Sequence, residues 1–160
     1  MRTPESLAGA AFAPEAFACG RANAYAGSHG VAEDAGLSVS VRVPCRFCRR
    51  EWTAWLAAMR RTAFPHGAAL PAVELVVCGD GEIATANVRL LGCSGPTNIL
   101  SFPEGGRSLG SLMLSAVTLE RESVLYGQDV SAHARRLLAH GMGHLCGLDH
   151  GPEMEASASR

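Results

Sequence analysis

Residues 131–150 read SAHARRLLAHGMGHLCGLDH. Ser131 is a good N-cap, and the pattern predicts a helix running to Cys146, with Gly147 just past its end. On that helix His140 and His144 are four residues apart. They project from one face, roughly 6 Å apart along the axis. Gly147 can adopt a left-handed conformation and reverse the chain. His150 then comes round to the same point. Three neutral imidazoles at H-x3-H-x5-H can hold one divalent ion, zinc or a similar metal, and leave a fourth position open for water. That is the pattern of a catalytic rather than a structural site, because a metal lowers the pKa of its bound water toward neutrality. Asp149 is a candidate either to hydrogen-bond a ligand imidazole or to act as a base toward the water. A lone histidine is more often an ordinary core or surface residue, and His29, His66 and His133 are read that way.

The remaining elements fall on either side of this helix. Leu37 to Val43 alternates with period two and reads as a half-buried strand that Pro44 ends. Trp52, Trp55, Leu56 and Met59 make a helical core stripe. Arg49, Arg50, Arg60 and Arg61 are placed around that helix as a solvated face. Val73 to Cys78 is a short apolar strand, turned by Gly79-Asp80-Gly81. Glu82 to Leu91 is a helix with Ile83, Ala86, Asn87 and Leu90 in register. Asn98 to Phe102 is a brief extended segment stopped by Pro103, and Gly105-Gly106 makes a loop. Leu109 to Leu114 is another strand. Ala116 to Tyr126 reads as an amphipathic helix with Val117, Val124 and Leu125 inward and Glu120, Arg121 and Glu122 outward. Gly127 is placed just past its end. Strand, helix, strand, helix, strand, strand, helix, helix describes a small mixed sheet packed with helices. The order alone leaves α/β and α+β open.

The whole chain has 160 residues, 48% of them hydrophobic, with a net charge of −1. One domain with trimmings fits that length. No run approaches a membrane span. Residues 1–36 are Ala/Gly-rich, without sustained period, and read as a poorly ordered extension of net charge −2. Residues 37–150 carry net +2, so the folded part is mildly basic. All 14 basic residues are arginine, which suits bidentate phosphate contacts. A uniformly basic nucleic-acid coat is excluded; a local basic groove is not. Of the six cysteines, Cys78 and Cys146 read as small buried hydrophobes. Cys45-Arg46-Phe47-Cys48 is a lone C-x-x-C, weak as a zinc or redox motif. No disulfide is expected. Pro4, Glu5, Pro14 and Glu15 break up any secretory leader, which makes the cytoplasm the expected compartment.

The histidine spacing is similar to that of the metzincin peptidases, H-E-x-x-H-x-x-G-x-x-H. Those enzymes place a glutamate base where this chain has Gly141, so peptidase activity is the poorer reading. A closer resemblance runs through three blocks in order. Gly95-Pro96-Thr97-Asn98-Ile99-Leu100-Ser101-Phe102-Pro103 looks like P-T-[DN]-V-L-S-F-P. Leu109-Gly110-Ser111-Leu112-Met113-Leu114-Ser115 looks like L-G-D-[IL]-x-[IL]-S. His140 to His150 looks like H-G-x-x-H-x-x-G-x-D-H. Together they resemble the YbeY family of bacterial metal-dependent endoribonucleases, over about Leu37 to Met154. The resemblance implies an α+β fold, with a mixed sheet around a metal-bearing C-terminal helix. It implies domain limits of 37–154, with 155–160 a tail. It also implies cleavage of single-stranded RNA in ribosomal RNA maturation and quality control, with ribosome-associated proteins as partners. His140, His144 and His150 take the family's metal positions.

Thr97, Asn98 and Ser101 are candidate cleft residues, and Arg89 is a candidate phosphate contact. Leu91 stands where the family has an arginine, and Ser111 where it has an aspartate. Those two positions favour an alternative, a ribosomal-RNA or ribosomal-protein binding module with a retained structural metal.

Overall fold

In the computed structural model, residues 35–64 and 70–148 are described. The period-two segment forms β1 (Leu37–Val41). It pairs parallel with β2 (Ala72–Cys78), which pairs parallel with β4 (Ser108–Ser115). The last partner, β3 (Ile99–Pro103), is antiparallel to β4. The sheet order is β1-β2-β4-β3, a mixed four-stranded sheet with β3 at one edge. The helices are α1 (Arg49–Ala63), α2 (Asp80–Leu91), α3 (Ala116–Leu125) and α4 (Val130–Leu145). The fold is α+β, with the eight elements in the order the sequence predicts.

Strand alternation sends two apolar sets to opposite faces of the sheet. Val39, Val73, Leu75, Val77, Ile99, Leu112 and Leu114 share one core with α1, α3 and α4. Cys78 and Leu100 lie on the other face against Ile83 of α2, with Val76, Phe102 and Met113 around them. Two faces covered by helices bury both sides of β2 and β4, which explains their nearly continuous apolar sequence.

Several local expectations are corrected. Arg60 is fully buried rather than on a solvated face. Its guanidinium donates to the carbonyls of Ala35 (2.9 Å) and Pro71 (3.1 Å), tying the start of β1 to that of β2. Residues 79–81 are no free turn: Asp80 already begins α2, with Gly79 as its N-cap. In that helix Ile83 and Asn87 are buried, but Leu90 is 60% exposed. α3 is rotated from the predicted face. Val117, Val124 and Leu125 are exposed, whereas Ala116, Thr118, Leu119 and Ser123 are buried. The reason is Asp80, whose carboxylate accepts from Ser115 Oγ (2.5 Å) and Thr118 Oγ1 (2.7 Å) and from Arg121 (2.7 Å). These bonds satisfy the polar face of α3 inside the fold and leave the apolar residues outside.

The cap of α4 is Asp129, not Ser131. Asp129 accepts from the Ala132 amide at 2.8 Å, and Ser131 Oγ donates to the same carboxylate oxygen. Pro103 closes β3 as its last residue. Cys78 and Cys146 are buried as read, and the five described cysteines are free thiols. No described helix is long and apolar enough to cross a membrane.

Candidate metal centre

α4 lies against β3 and β4 so closely that residue 141 must be small. A Cβ on Gly141 would stand 2.8 Å from Leu112 Cδ2 and 2.9 Å from Ile99 Cδ1. Position 141 therefore points into the sheet. A glutamate base there would drive a carboxylate into an apolar core, so the peptidase arrangement does not fit this helix. Beside Gly141, Ser101 Oγ of β3 donates to the Gly141 carbonyl at 3.3 Å, which fixes the middle of β3 against the last turns of α4.

At about 100° per residue, His133, His140 and His144 fall on one stripe of α4, within about 40° of one another. The Arg135 guanidinium lies 5.8 Å over the Trp55 ring, so that flank of α4 faces α1. The histidine stripe is about 140–180° from it around the axis, away from α1 and toward the β3 edge. At the lower end of the stripe the rings of His140 and His144 meet edge-on, at 89° with centroids 4.6 Å apart. Their Nε2 atoms converge to 3.1 Å. Two ligands of one tetrahedral ion, each about 2.0–2.1 Å from it, stand about 3.3 Å apart. The pair thus fits a shared divalent ion, with two neutral nitrogen donors of the type zinc favours. Both rings are half-buried, so the helix holds them while one side stays open. His150 and Asp149 lie outside the described residues. Among the described residues no third His, Cys, Asp or Glu joins the pair.

At the upper end of the stripe stands a group that the sequence reading missed. His133 is buried, and its Nε2 is 2.8 Å from Glu122 Oε2 of α3. The Arg136 guanidinium lies 3.3 Å from His133 Nδ1. As Nδ1 then accepts, Nε2 carries the proton and donates to Glu122. Asn98 Nδ2 donates to the same carboxylate, at 3.3 and 3.2 Å. His133 is a satisfied core histidine, as read. Glu122, read as outward, is the half-buried hub that joins α3, α4 and the start of β3.

The other candidates separate. Ser101 lies in β3 on the side of α4, and the half-buried Thr97 lies just before that strand. Asn98 shares that segment, but its carboxamide is engaged by Glu122 and by the Ile99 amide. Arg89 and Leu91 are exposed on α2, which covers the opposite sheet face, so the structure does not bring Arg89 to the histidines.

The family model described as Endoribonuclease YbeY matches residues 43–159. Three curated proteins named Endoribonuclease YbeY are similar to this chain. That of Nitratidesulfovibrio vulgaris is 49% identical over 106 residues, covering 52% of this chain and 65% of its own. That of Oleidesulfovibrio alaskensis is 44% identical over 108 residues, covering 52% and 64%. That of Lawsonia intracellularis is 39% identical over 114 residues, covering 71% and 82%. The chain thus spans somewhat less than two thirds of the first two relatives. A solution structure from Thermotoga maritima aligns over 76% of this chain and 84% of its own, with 16% identity and a TM-score of 0.49.

Proposed function

The chain belongs to the YbeY endoribonuclease family, and we propose that it cleaves single-stranded RNA at a divalent metal ion held by His140, His144 and His150. The observation that carries the reading is the convergence of the His140 and His144 Nε2 atoms at 3.1 Å on an open flank of α4. Family membership supports RNA as the substrate, and the resemblance of the histidine block to the family's supports His150 as the third ligand. An ion bound there supplies Lewis-acid polarisation of a phosphoryl oxygen and a water of lowered pKa.

The chain's own residues do the rest. Gly141 lets α4 sink onto the sheet, so that both imidazoles are held by packing rather than by flexible loops. Ser101 ties β3 to that turn, and β3 with Thr97 forms one wall of the site. Asp149 either orients a ligand imidazole through its second nitrogen or takes the proton from the attacking hydroxyl. Arginines of the mildly basic domain attract the phosphate backbone. Ribosomal RNA maturation in the cytoplasm, with ribosome-associated proteins, is the proposed setting. The domain is proposed to run from 37 to 154, with 1–36 an extension and 155–160 a tail.

A second reading, RNA or ribosomal-protein binding around a structural metal with little turnover, is favoured by the exposed Leu91 where the family has arginine. His144→Ala separates them. The nuclease reading expects turnover to vanish while folding and RNA affinity survive; the binding reading expects the fold to be lost with the metal.

A further inference from the structure

β3 is the edge strand nearest the histidine pair, and its outer side is nearly, but not wholly, closed. The antiparallel ladder fixes which groups face outward. The Ser115 amide donates to the Asn98 carbonyl, and the Glu104 amide donates to the Leu109 carbonyl. With Ser101 opposite Leu112, the even-numbered residues of β3 bond to β4. Ile99, Ser101 and Pro103 therefore turn their main-chain groups outward. The Ile99 amide is taken by its neighbour's side chain, Asn98 Oδ1, at 2.7 Å. Pro103 has no amide hydrogen. What stays open, among the described residues, is one donor, the Ser101 amide, with the Ser101 carbonyl beside it and the carbonyls of Ile99 and Pro103 on either side. Ser101 is also the residue whose hydroxyl donates to Gly141, next in the chain to His140.

An edge that keeps a single donor does not suit a partner strand, which needs a run of donor–acceptor pairs. A single donor and acceptor on one residue suits a smaller planar group. Every nucleobase carries an adjacent donor and acceptor on its Watson–Crick edge, and single-stranded RNA is commonly read there. We propose that the Ser101 main chain binds the Watson–Crick edge of an unpaired base next to the scissile linkage. With uracil, the Ser101 amide donates to a ring carbonyl and the Ser101 carbonyl accepts from N3–H. In a duplex that edge is already used, so the same contact selects single strands. The inference rests on the endoribonuclease reading for its ligand class, but the contact is formed by this chain's own backbone.

The test compares oligouridine with the same oligomer built from 3-methyluridine, which lacks the N3–H and crowds that edge. Binding is read by fluorescence anisotropy and cleavage by gel. Loss of a hydrogen bond and steric exclusion predict weaker binding of the methylated strand to wild type, by about tenfold. Ser101→Pro removes the amide at an edge position where proline is tolerated, and the preference should fall toward one. Ser101→Ala keeps the amide and should keep the preference. Thermal unfolding establishes that both variants fold; if Ser101→Pro does not, the wild-type comparison decides. Equal affinity of wild type for both strands overturns the proposal. So does competition by an extended peptide that Ser101→Pro abolishes, which would make the edge a strand-docking site. Methyl discrimination in binding without any cleavage would sustain the base contact and overturn the endoribonuclease reading instead.

Discussion

Gly141 shows how one missing side chain weighs against one of two chemistries. The histidine spacing suits a peptidase as well as a nuclease, but the residue between the two histidines faces Ile99 and Leu112. Gly141→Ala should overpack that contact at a cost of about 1–3 kcal/mol, partly offset by about 1 kcal/mol of helix preference. Gly141→Glu should be far worse, because it also buries a carboxylate without a partner. Urea unfolding of the two variants checks this, and a Glu variant as stable as wild type would contradict the placement of α4. The histidine pair was legible because i, i+4 spacing maps directly to one helix face. Arg60 was not. Its charge argues for solvent, and only the fold reveals the two carbonyls it meets, at Ala35 and Pro71. Removing that side chain (Arg60→Ala) should leave those groups unsatisfied and a cavity behind, with a loss of about 3–5 kcal/mol in the same assay.

Among the elements, α3 was the least legible. Its apolar residues suggested one face, and its polar residues formed the other, yet the polar face is the buried one. Hydrophobic pattern outweighs polarity only when buried polar groups lack partners, and Thr118 and Ser115 have Asp80. Burial alone would push the Asp80 carboxyl up, but hydrogen bonds from Ser115, Arg121 and Thr118 hold it at about 2, below its ordinary 3.8. A lowered folded pKa means stability that is present above the unfolded value and lost as pH falls through the folded one. Asp80→Asn should therefore unfold more easily than wild type at neutral pH. The gap should narrow between about pH 4 and pH 2, followed by acid titration with circular dichroism. A gap that is constant across that range would show that the α2–α3 link is not carried by the charge. Strands and the ends of α2 and α4 were easier, since alternation and glycines mark them locally. The choice of Asp129 over Ser131 as cap was not legible, because both are cap residues and lie two positions apart.

For the whole molecule, the element order was readable because each strand and helix carries its own period. Which helix covers which face was not, since that depends on crossovers between distant strands. The resulting architecture puts α1, α3 and α4 on one side and α2 on the other. It brings His140, His144 and Ser101 together and leaves Arg89 across the sheet. If phosphate contacts from the basic domain hold the RNA, log affinity should fall linearly with log salt, by about 0.7 for each phosphate neutralised on a single strand. Salt-independent binding would contradict an electrostatic grip. The central claim is that α4 carries a catalytic metal. Its most direct test is the metal content of purified wild type and His144→Ala, each then assayed on single-stranded ribosomal RNA. The account predicts about one divalent ion per chain in wild type, lost in the folded variant together with cleavage. A folded His144→Ala protein that still cleaves RNA, or a wild type that takes up no metal on reloading, would contradict it.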